Sequence, residues 1–289
     1  MHGLAVDPGS DSFMTQFIKF AGRRLLGPFS ALLGHRSLTL ELAKRDILGR
    51  YRGASFGLLW SLISPFLMLG VYTFGFGFVM KGHWPQTKDT NVPFAVILFV
   101  ALIVHGFFAE CLNRSPTLIT SQPNFVKRVI FPLDILPWSM LLSALFHSMM
   151  NIAAFILLRL VIEHTLTWTV IYLPLVMLPL VFLTLGVSWL LAALGVYLRD
   201  IGQVTSVLAT AMLFMSSAMY PLSAVPERYR FYFELNPLTF IIDQAREVAL
   251  WGNTPNWFGL ALYALFGLFT AYVGHACFTA TRKGFGDVL

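Results

Sequence analysis

Residues 57–80 read GLLWSLISPFLMLGVYTFGFGFVM, twenty-four positions without a charged side chain. A helix that crosses the hydrocarbon core of a bilayer needs about 20 predominantly apolar residues, and this stretch supplies them. Lys44, Arg45, Arg50 and Arg52 stand before it, and Lys81, Gly82 and His83 close it. Five further runs read the same way: 93–112, 135–158, about 169–198, about 203–220 and 257–280. Pro174 and Pro179 predict a kink or broken turn near the start of the fourth. The expectation is an all-α integral membrane protein with six transmembrane helices.

Composition agrees. Of the 289 residues, 57% are hydrophobic and 12% charged, and mean hydropathy is +0.71. A soluble domain carries roughly 25% charged residues, so this chain cannot coat a water-facing surface. That excludes a soluble enzyme and a disordered chain. Only two cysteines, Cys111 and Cys277, are present; they make no disulfide scaffold and fit no metal or redox spacing. The net charge of +6 suits cytoplasmic loops and anionic headgroups. No basic stripe is interleaved with stacking aromatics, so nucleic acid is not an expected partner.

Residues 1–56 hold eight Lys and Arg among scattered apolar residues, without the apolar core and small-residue cleavage site of a signal peptide. Within them, 37–52 reads as an amphipathic helix lying at the interface. Leu38, Leu42 and Ile47 would face lipid, and Lys44, Arg45, Arg50 and Arg52 headgroups. With this end inside, the inner loops carry Lys44, Arg45, Arg50, Arg52, Arg114, Lys127, Arg128, Arg199, Arg282 and Lys283. The outer loops carry Lys81, Lys88, Arg228, Arg230 and Arg246. The bias toward the inside and an even span number put both termini in the cytoplasm. The organisation is then a cytoplasmic segment 1–56, one membrane domain 57–280 and a cytoplasmic tail 281–289.

The outer region 221–252 is unusual. Asn236-Pro237 resembles an N-cap followed by proline at the first helical position, and Gly252 is a good stop. The helix between them, with Asp243, Arg246 and Glu247, is too short and too charged to cross. It is expected to be re-entrant or interfacial.

Recognisable catalytic chemistry is missing. No Gly-Lys dipeptide occurs, so no phosphate loop of the G-x-x-x-x-G-K-[ST] kind exists to hydrolyse ATP, and no Cys/His cluster suggests a metal. His105 lies mid-span, and His147 and Asn151 share a helix face; a proton relay or polar helix–helix contacts would each explain them. Glu110 can pair with Arg114, and Arg159 with Glu163, each at i,i+4. Asp243, Arg246 and Glu247 are the one outer set that a glycosyltransferase or ligase could use. The first span carries Trp60, Phe66, Tyr72, Phe74, Phe76 and Phe78. These are either lipid-facing and interfacial aromatics or a wall on which the C–H faces of sugar rings slide.

The ordered motifs carry a resemblance. The run Arg45-Asp46-Ile-Leu-Gly-Arg50-Tyr51-Arg52-Gly53 is followed by Gly57-Leu-Leu-Trp60-Ser-Leu-Ile-Ser64-Pro65. Then come Asn124-Phe-Val-Lys127-Arg128-Val-Ile-Phe131-Pro132-Leu133-Asp134, Tyr197-Leu-Arg199-Asp200, Met219-Tyr220-Pro221 and Leu235-Asn236-Pro237-Leu238. Over about residues 36–283 the chain resembles ABC-2-type permeases that export polysaccharides. Within these it is most similar to O-antigen permeases, with capsule and teichoic-acid permeases as close relatives.

The resemblance implies six spans, the interface helix, and short re-entrant outer helices between the fifth and sixth. It implies a homodimer in the bacterial inner membrane with two copies of an ABC ATPase, which would bind the ATP and Mg; the chain itself needs no cofactor. The substrate would be an undecaprenyl-diphosphate-linked polysaccharide. Arg50, Tyr51 and Arg52 are placed to meet the diphosphate headgroup or ordinary anionic lipid. Asn124, Phe125, Lys127 and Arg128 form a candidate ATPase-coupling segment. Arg199 and Asp200 form a gate, a second ATPase contact or a structural ion pair. Trp60, Phe66, Tyr72, Phe74, Phe78, Phe214 and Tyr220 are candidates to line the channel. Asn236, Pro237 and Arg246 would shape the outer re-entrant helix.

Overall fold

The computed structural model describes residues 27–75, 92–126, 131–162 and 166–288, which hold helices and no strand. In chain order they are α1 (Gly27–Gly34), α2 (Arg36–Arg50), α3 (Trp60–Tyr72), α4 (Phe94–Arg114) and α5 (Ile135–Ile162). Then follow α6 (Leu173–Tyr197), α7 (Ile201–Phe214), α8 (Glu227–Leu235), α9 (Pro237–Arg246) and α10 (Trp257–Thr281). Single turns at Pro123–Val126 and Phe285–Val288 sit beside α5 and α10.

Among the described residues five helical stretches are long and apolar enough to cross a membrane: Gly57–Gly75, Phe94–Thr117, Ile135–Val161, Trp168–Tyr197 and Trp257–Val288. The first, second, third, fourth and sixth expected spans are therefore present, though 76–80 of the first lie outside the described residues. Helix α4 is the centre of the bundle, with Ile97, Val100, Ala101 and Val104 fully buried. Helix α3 lies at the edge and leaves Phe66, Leu67, Met68, Val71 and Phe74 exposed. A helix apolar all round suits either place; only tertiary contacts separate the two. The expected kink resolves into a boundary. Residues Trp168–Tyr172 wind as a tighter helix, Pro174 opens α6, and α6 continues through Pro179 to Tyr197.

The fifth span departs from expectation. Its helix, α7, has 14 residues and stops at Phe214 rather than near 220, about 21 Å at 1.5 Å per residue. Its end is taken apart by side chains. The Asn236 amide donates to the carbonyls of Met212 and Met215, each at 2.9 Å. The Ser216 hydroxyl donates to Leu213 O at 2.9 Å and the Tyr220 hydroxyl to Phe214 O at 2.5 Å. Arg246 then donates to Ser217 O at 2.6 Å and Ala218 O at 2.8 Å. A helix C-terminus leaves carbonyls without intrahelical partners, and here each finds one. The stretch 215–220 gave little sign of this because four of these six hydrogen bonds are donated from further along the chain, by Asn236 and Arg246.

Asn236 does cap α9: its Oδ1 accepts from Leu238 N at 3.0 Å, with Pro237 next. A π-helical turn, Glu247–Trp251, prolongs α9 to Gly252, whose φ of 75° is the left-handed conformation glycine adopts at helix ends. The helix expected over 37–52 is present as α2, but Leu42 faces protein and is buried against the core; Leu38, Leu40 and Leu48 are its exposed leucines. The final turn is also anchored, since Phe285 is fully buried and packs on Phe278 and Tyr197.

The tightest seam is α6 on α10. A Cβ on Gly274 would collide with the Gly186 carbonyl, 2.8 Å from its carbon, and one on Gly267 would fall 2.8 Å from Pro179 O. Small residues let backbones approach this closely between membrane helices.

Candidate functional site

Helices α3, α4 and α5, with Leu213 of α7, line a half-open cavity of about 600 Å3. Its walls are apolar where Pro65, Met68, Phe99, Ile103 and Phe107 line them. Its polar groups come from Arg50, Tyr51, Ser64, Tyr72, His105, Glu110, His147, Ser148 and Asn151. Most are spaced by helical turns: His147 and Asn151 lie one turn apart on α5, as their spacing indicated. His105 also reaches the cavity, with Nε2 2.9 Å from the Ala209 carbonyl of α7. His147 presents Nδ1 to Glu110 at 3.3 Å, and its buried Nε2 has no hydrogen-bond partner among the described residues.

One end of the cavity is closed by a cluster of charges. Glu110 Oε1 accepts from Arg50 Nη2 at 2.5 Å and from Arg114 Nη1 at 3.1 Å. Arg114 in turn grips Asp46 with Nη2, 2.7 Å from Oδ1 and 2.6 Å from Oδ2. Asp46 and Arg50 belong to α2, Glu110 and Arg114 to α4. Tyr51 follows Arg50 and sets its ring edge-on to His147 at 5.9 Å. Burial raises the Tyr51 phenol above its usual pKa, Arg50 opposes that and Glu110 adds to it, so the group remains a neutral hydroxyl at pH 7.

The structure thus brings Arg50, Tyr51 and Tyr72 into one site with His105 and His147. Arg52 is exposed and lies outside it, on a groove lined by Lys44, Arg45 and Leu48. Arg50 does not simply point at solvent: its side chain is 40% exposed and bonded to Glu110. Sequence reasoning found the Glu110–Arg114 pair but missed Asp46 and the partnership with α2. The available signal was that both segments carry an acid and an arginine four residues apart.

The other expected residues are dispersed. Among the candidate channel aromatics, Tyr72 lines the cavity, Phe66, Phe74, Phe214 and Tyr220 are exposed, and Trp60 packs edge-on to Phe56 at 5.8 Å. Phe78 and Phe76 lie outside the described residues. On the candidate coupling turn Asn124 is exposed, while Phe125 stacks on Phe131 at 4.3 Å with the Arg45 guanidinium 5.8 Å from its ring. Lys127 and Arg128 lie outside the described residues, as does Glu163, the expected partner of Arg159. Arg199 and Asp200 are both exposed and form no ion pair with each other; Arg199 borders a small cleft with Pro116 and Thr120. The structural ion pair is therefore not seen.

Asp243, Arg246 and Glu247 are held in contacts within and beside α9. Arg246 is buried among carbonyls with Asp243 Oδ1 3.7 Å away, and Glu247 accepts from Asn253 at 2.6 Å. Asn236 and Arg246 hold the end of α7 against α9 through their hydrogen bonds. Among the described residues no three His, Cys, Asp or Glu converge as metal ligands would.

Comparison with known proteins gives this arrangement a context. The profile of the ABC-2 type transporter family matches residues 37–250. The O-antigen export system permease protein RfbA of Myxococcus xanthus is 26% identical over 258 residues, covering 89% of this chain and 96% of that protein. A Klebsiella pneumoniae protein of the same name is 25% identical over 254 residues, 87% of this chain and 95% of that one. The polysialic acid transport protein KpsM of Escherichia coli is 27% identical over 263 residues, 86% of this chain and 95% of that protein.

Proposed function

Because the chain belongs to the ABC-2 type transporter family, we propose that it is the permease subunit of an ATP-driven exporter of a lipid-linked polysaccharide of the O-antigen type. The observation that carries this reading is the near full-length similarity to O-antigen export permeases. The sequence holds no phosphate loop, which supports a reading in which a partner ATPase would bind the nucleotide and Mg.

In this reading two copies pair in the bacterial inner membrane above two ATPase subunits, with both termini cytoplasmic. Helix α7 and the irregular segment after it count as the fifth crossing, and α8 and α9 re-enter from the outer side. The undecaprenyl diphosphate headgroup meets Arg50, Tyr51 and Arg52 at the inner face, where an arginine fork can engage phosphate oxygens in pairs. Exposed aromatics such as Phe66, Phe74, Phe214 and Tyr220 become channel surface once a second copy faces them. The Asn124–Phe125 turn, with Lys127 and Arg128, meets the ATPase, and Arg199 and Asp200 give a second contact.

Two measurements test this. The purified chain is expected to hydrolyse no ATP until the partner ATPase is added; robust hydrolysis by the chain alone would overturn the reading. In cells lacking the gene, the lipid-linked glycan is expected inside, labelled by antibody only after permeabilisation, with its synthesis intact. Normal surface glycan would redirect the search to a small lipid, a drug or a proton-coupled substrate. The similarity to a polysialic acid transport protein favours capsule polysaccharide as the second reading. Antibodies against the two glycans separate them in the same experiment.

A further inference from the structure

The cavity between α3, α4 and α5 has walls of two kinds. Pro65, Met68, Phe99 and Phe107 are apolar, while Ser64, His105 and Asn151 bring one hydrogen-bonding group from each helix. On α4 the lining runs from Glu110 to Phe99, about 16 Å along the axis. The volume of about 600 Å3 lies in the range of small-molecule sites. The two charged lining residues, Arg50 and Glu110, are bonded to each other, and Arg114 beside them is held by Asp46. The wall is polar with no charge to spare.

The imidazoles narrow what fits. A carbonyl can only accept, so His105 Nε2 carries the hydrogen that meets Ala209 O, and Nδ1 is left as an acceptor. His147 turns Nδ1 to the Glu110 carboxylate, and its buried Nε2 has no partner among the described residues. A hydrocarbon chain leaves such groups unmet, which is costly at membrane depth. A phosphate is repelled by the Glu110 carboxylate. A hydroxyl both donates and accepts, and the C–H faces of a sugar ring suit Phe99, Phe107 and Met68. We infer that this cavity is a sugar subsite, which takes a neutral pyranose ring within one protomer. The Arg50 side chain is still 40% exposed, so a carrier diphosphate stops at the mouth while the ring attached to it enters. That the ring arrives on a lipid carrier rests on the function proposed above; the preference for a neutral sugar does not.

Gly106 lines the cavity, and a Cβ built on it meets nothing within 4 Å. Gly106→Leu therefore fills the space without displacing a neighbour, and leucine is the better helix former. The probes are undecaprenyl diphosphate, bare or carrying one N-acetylglucosamine, titrated onto the full chain in lipid nanodiscs. The parent is expected to bind the sugar-bearing carrier about tenfold more tightly than the bare one, the scale of one or two net hydrogen bonds. Gly106→Leu is expected to bind both carriers as the parent binds the bare one, and to melt no lower. Should that variant fail to accumulate, Asn151→Leu keeps the side-chain size without the amide and is expected to cut the preference about threefold. Equal binding of the two carriers by the parent would overturn the subsite, because water or a lipid chain then fills the cavity. A preference undiminished in the variant tested would overturn it equally. If neither carrier binds, Asn151→Cys, with Cys111 and Cys277 replaced by serine, decides. Slower alkylation by N-ethylmaleimide in the presence of N-acetylglucosamine alone would support the subsite and make the free sugar its ligand; no protection would overturn it. A sugar preference in nanodiscs together with normal surface glycan in cells lacking the gene would support the subsite while counting against the proposed function.

Discussion

Arg246→Met is expected to leave little folded protein in the membrane. The Arg246 side chain is 3% exposed and donates to Ser217 O, Ala218 O and, at 3.3 Å, Ile97 O. These hydrogen bonds tie the frayed end of α7 to the start of α4 and to α9, beside the two that Asn236 makes to Met212 and Met215. Methionine fills the space but donates nothing. Each buried carbonyl left without a partner costs roughly 1–3 kcal/mol, and in a bilayer water is a poor substitute. Ile97 O keeps its partner within α4, so Ser217 and Ala218 carry the loss, roughly 2–6 kcal/mol together, a large share of the about 5–15 kcal/mol that holds an ordinary domain. Arg246→Lys keeps one charged donor without the planar fork and is expected to fall between. The measurement is the thermal unfolding midpoint in detergent together with the amount extracted from membranes. A methionine variant melting within about 1 °C of the parent, below the roughly 2 °C that one kcal/mol produces in a chain of this size, would dismiss the clamp.

Gly274→Val is expected to be comparably severe for the opposite reason. No bond is removed; atoms are added where the Gly186 carbonyl already stands, its carbon 2.8 Å from the new Cβ. The obstacle is backbone on both sides, so no rotamer change relieves it, and α6 and α10 must separate along a seam that also holds Gly267 and Ala271. Overpacking in a well-filled core costs typically 1–3 kcal/mol, and parting two helices forfeits dispersion attraction along their whole length. Gly274→Ala tests the same point with one methyl. Gly70→Ala on α3 is the control, since a Cβ there meets nothing within 4 Å, and alanine is the better helix former. Equal melting of the Gly70 and Gly274 alanine variants would refute the close approach.

Much of the architecture was legible because a membrane writes it in runs of apolar residues. The starts of five spans and the signature Asn236-Pro237 through Gly252 were read within a residue or two, each from local information, while the third span runs on to Ile162, four residues past its expected end. The end of α7 was not. Hydropathy continues unbroken through Met215 and Met219, whereas the donors that stop the helix sit at Asn236 and Arg246, on the far side of another helix. The same limit governs the site. Glu110 with Arg114 is a local pair and was found. Arg50 with Glu110 spans sixty positions and Asp46 with Arg114 sixty-eight, and only the fold brings them together. Leu42 reads as lipid-facing in the sequence because an amphipathic pattern does not distinguish a bilayer from the flank of α5.

The glycine seam also constrains the order of events during synthesis. Helix α6 enters the membrane with Gly186 uncovered, and its partner α10 is the last span to be translated among those described. Helices α7, α8 and α9 must all be made in between. Throughout that interval the glycine face of α6 is a groove shaped for a helix that does not yet exist, open to any neighbouring segment with small residues. The interval is when the chain is most exposed to wrong pairing, and a membrane chaperone that shields one helix face would act then.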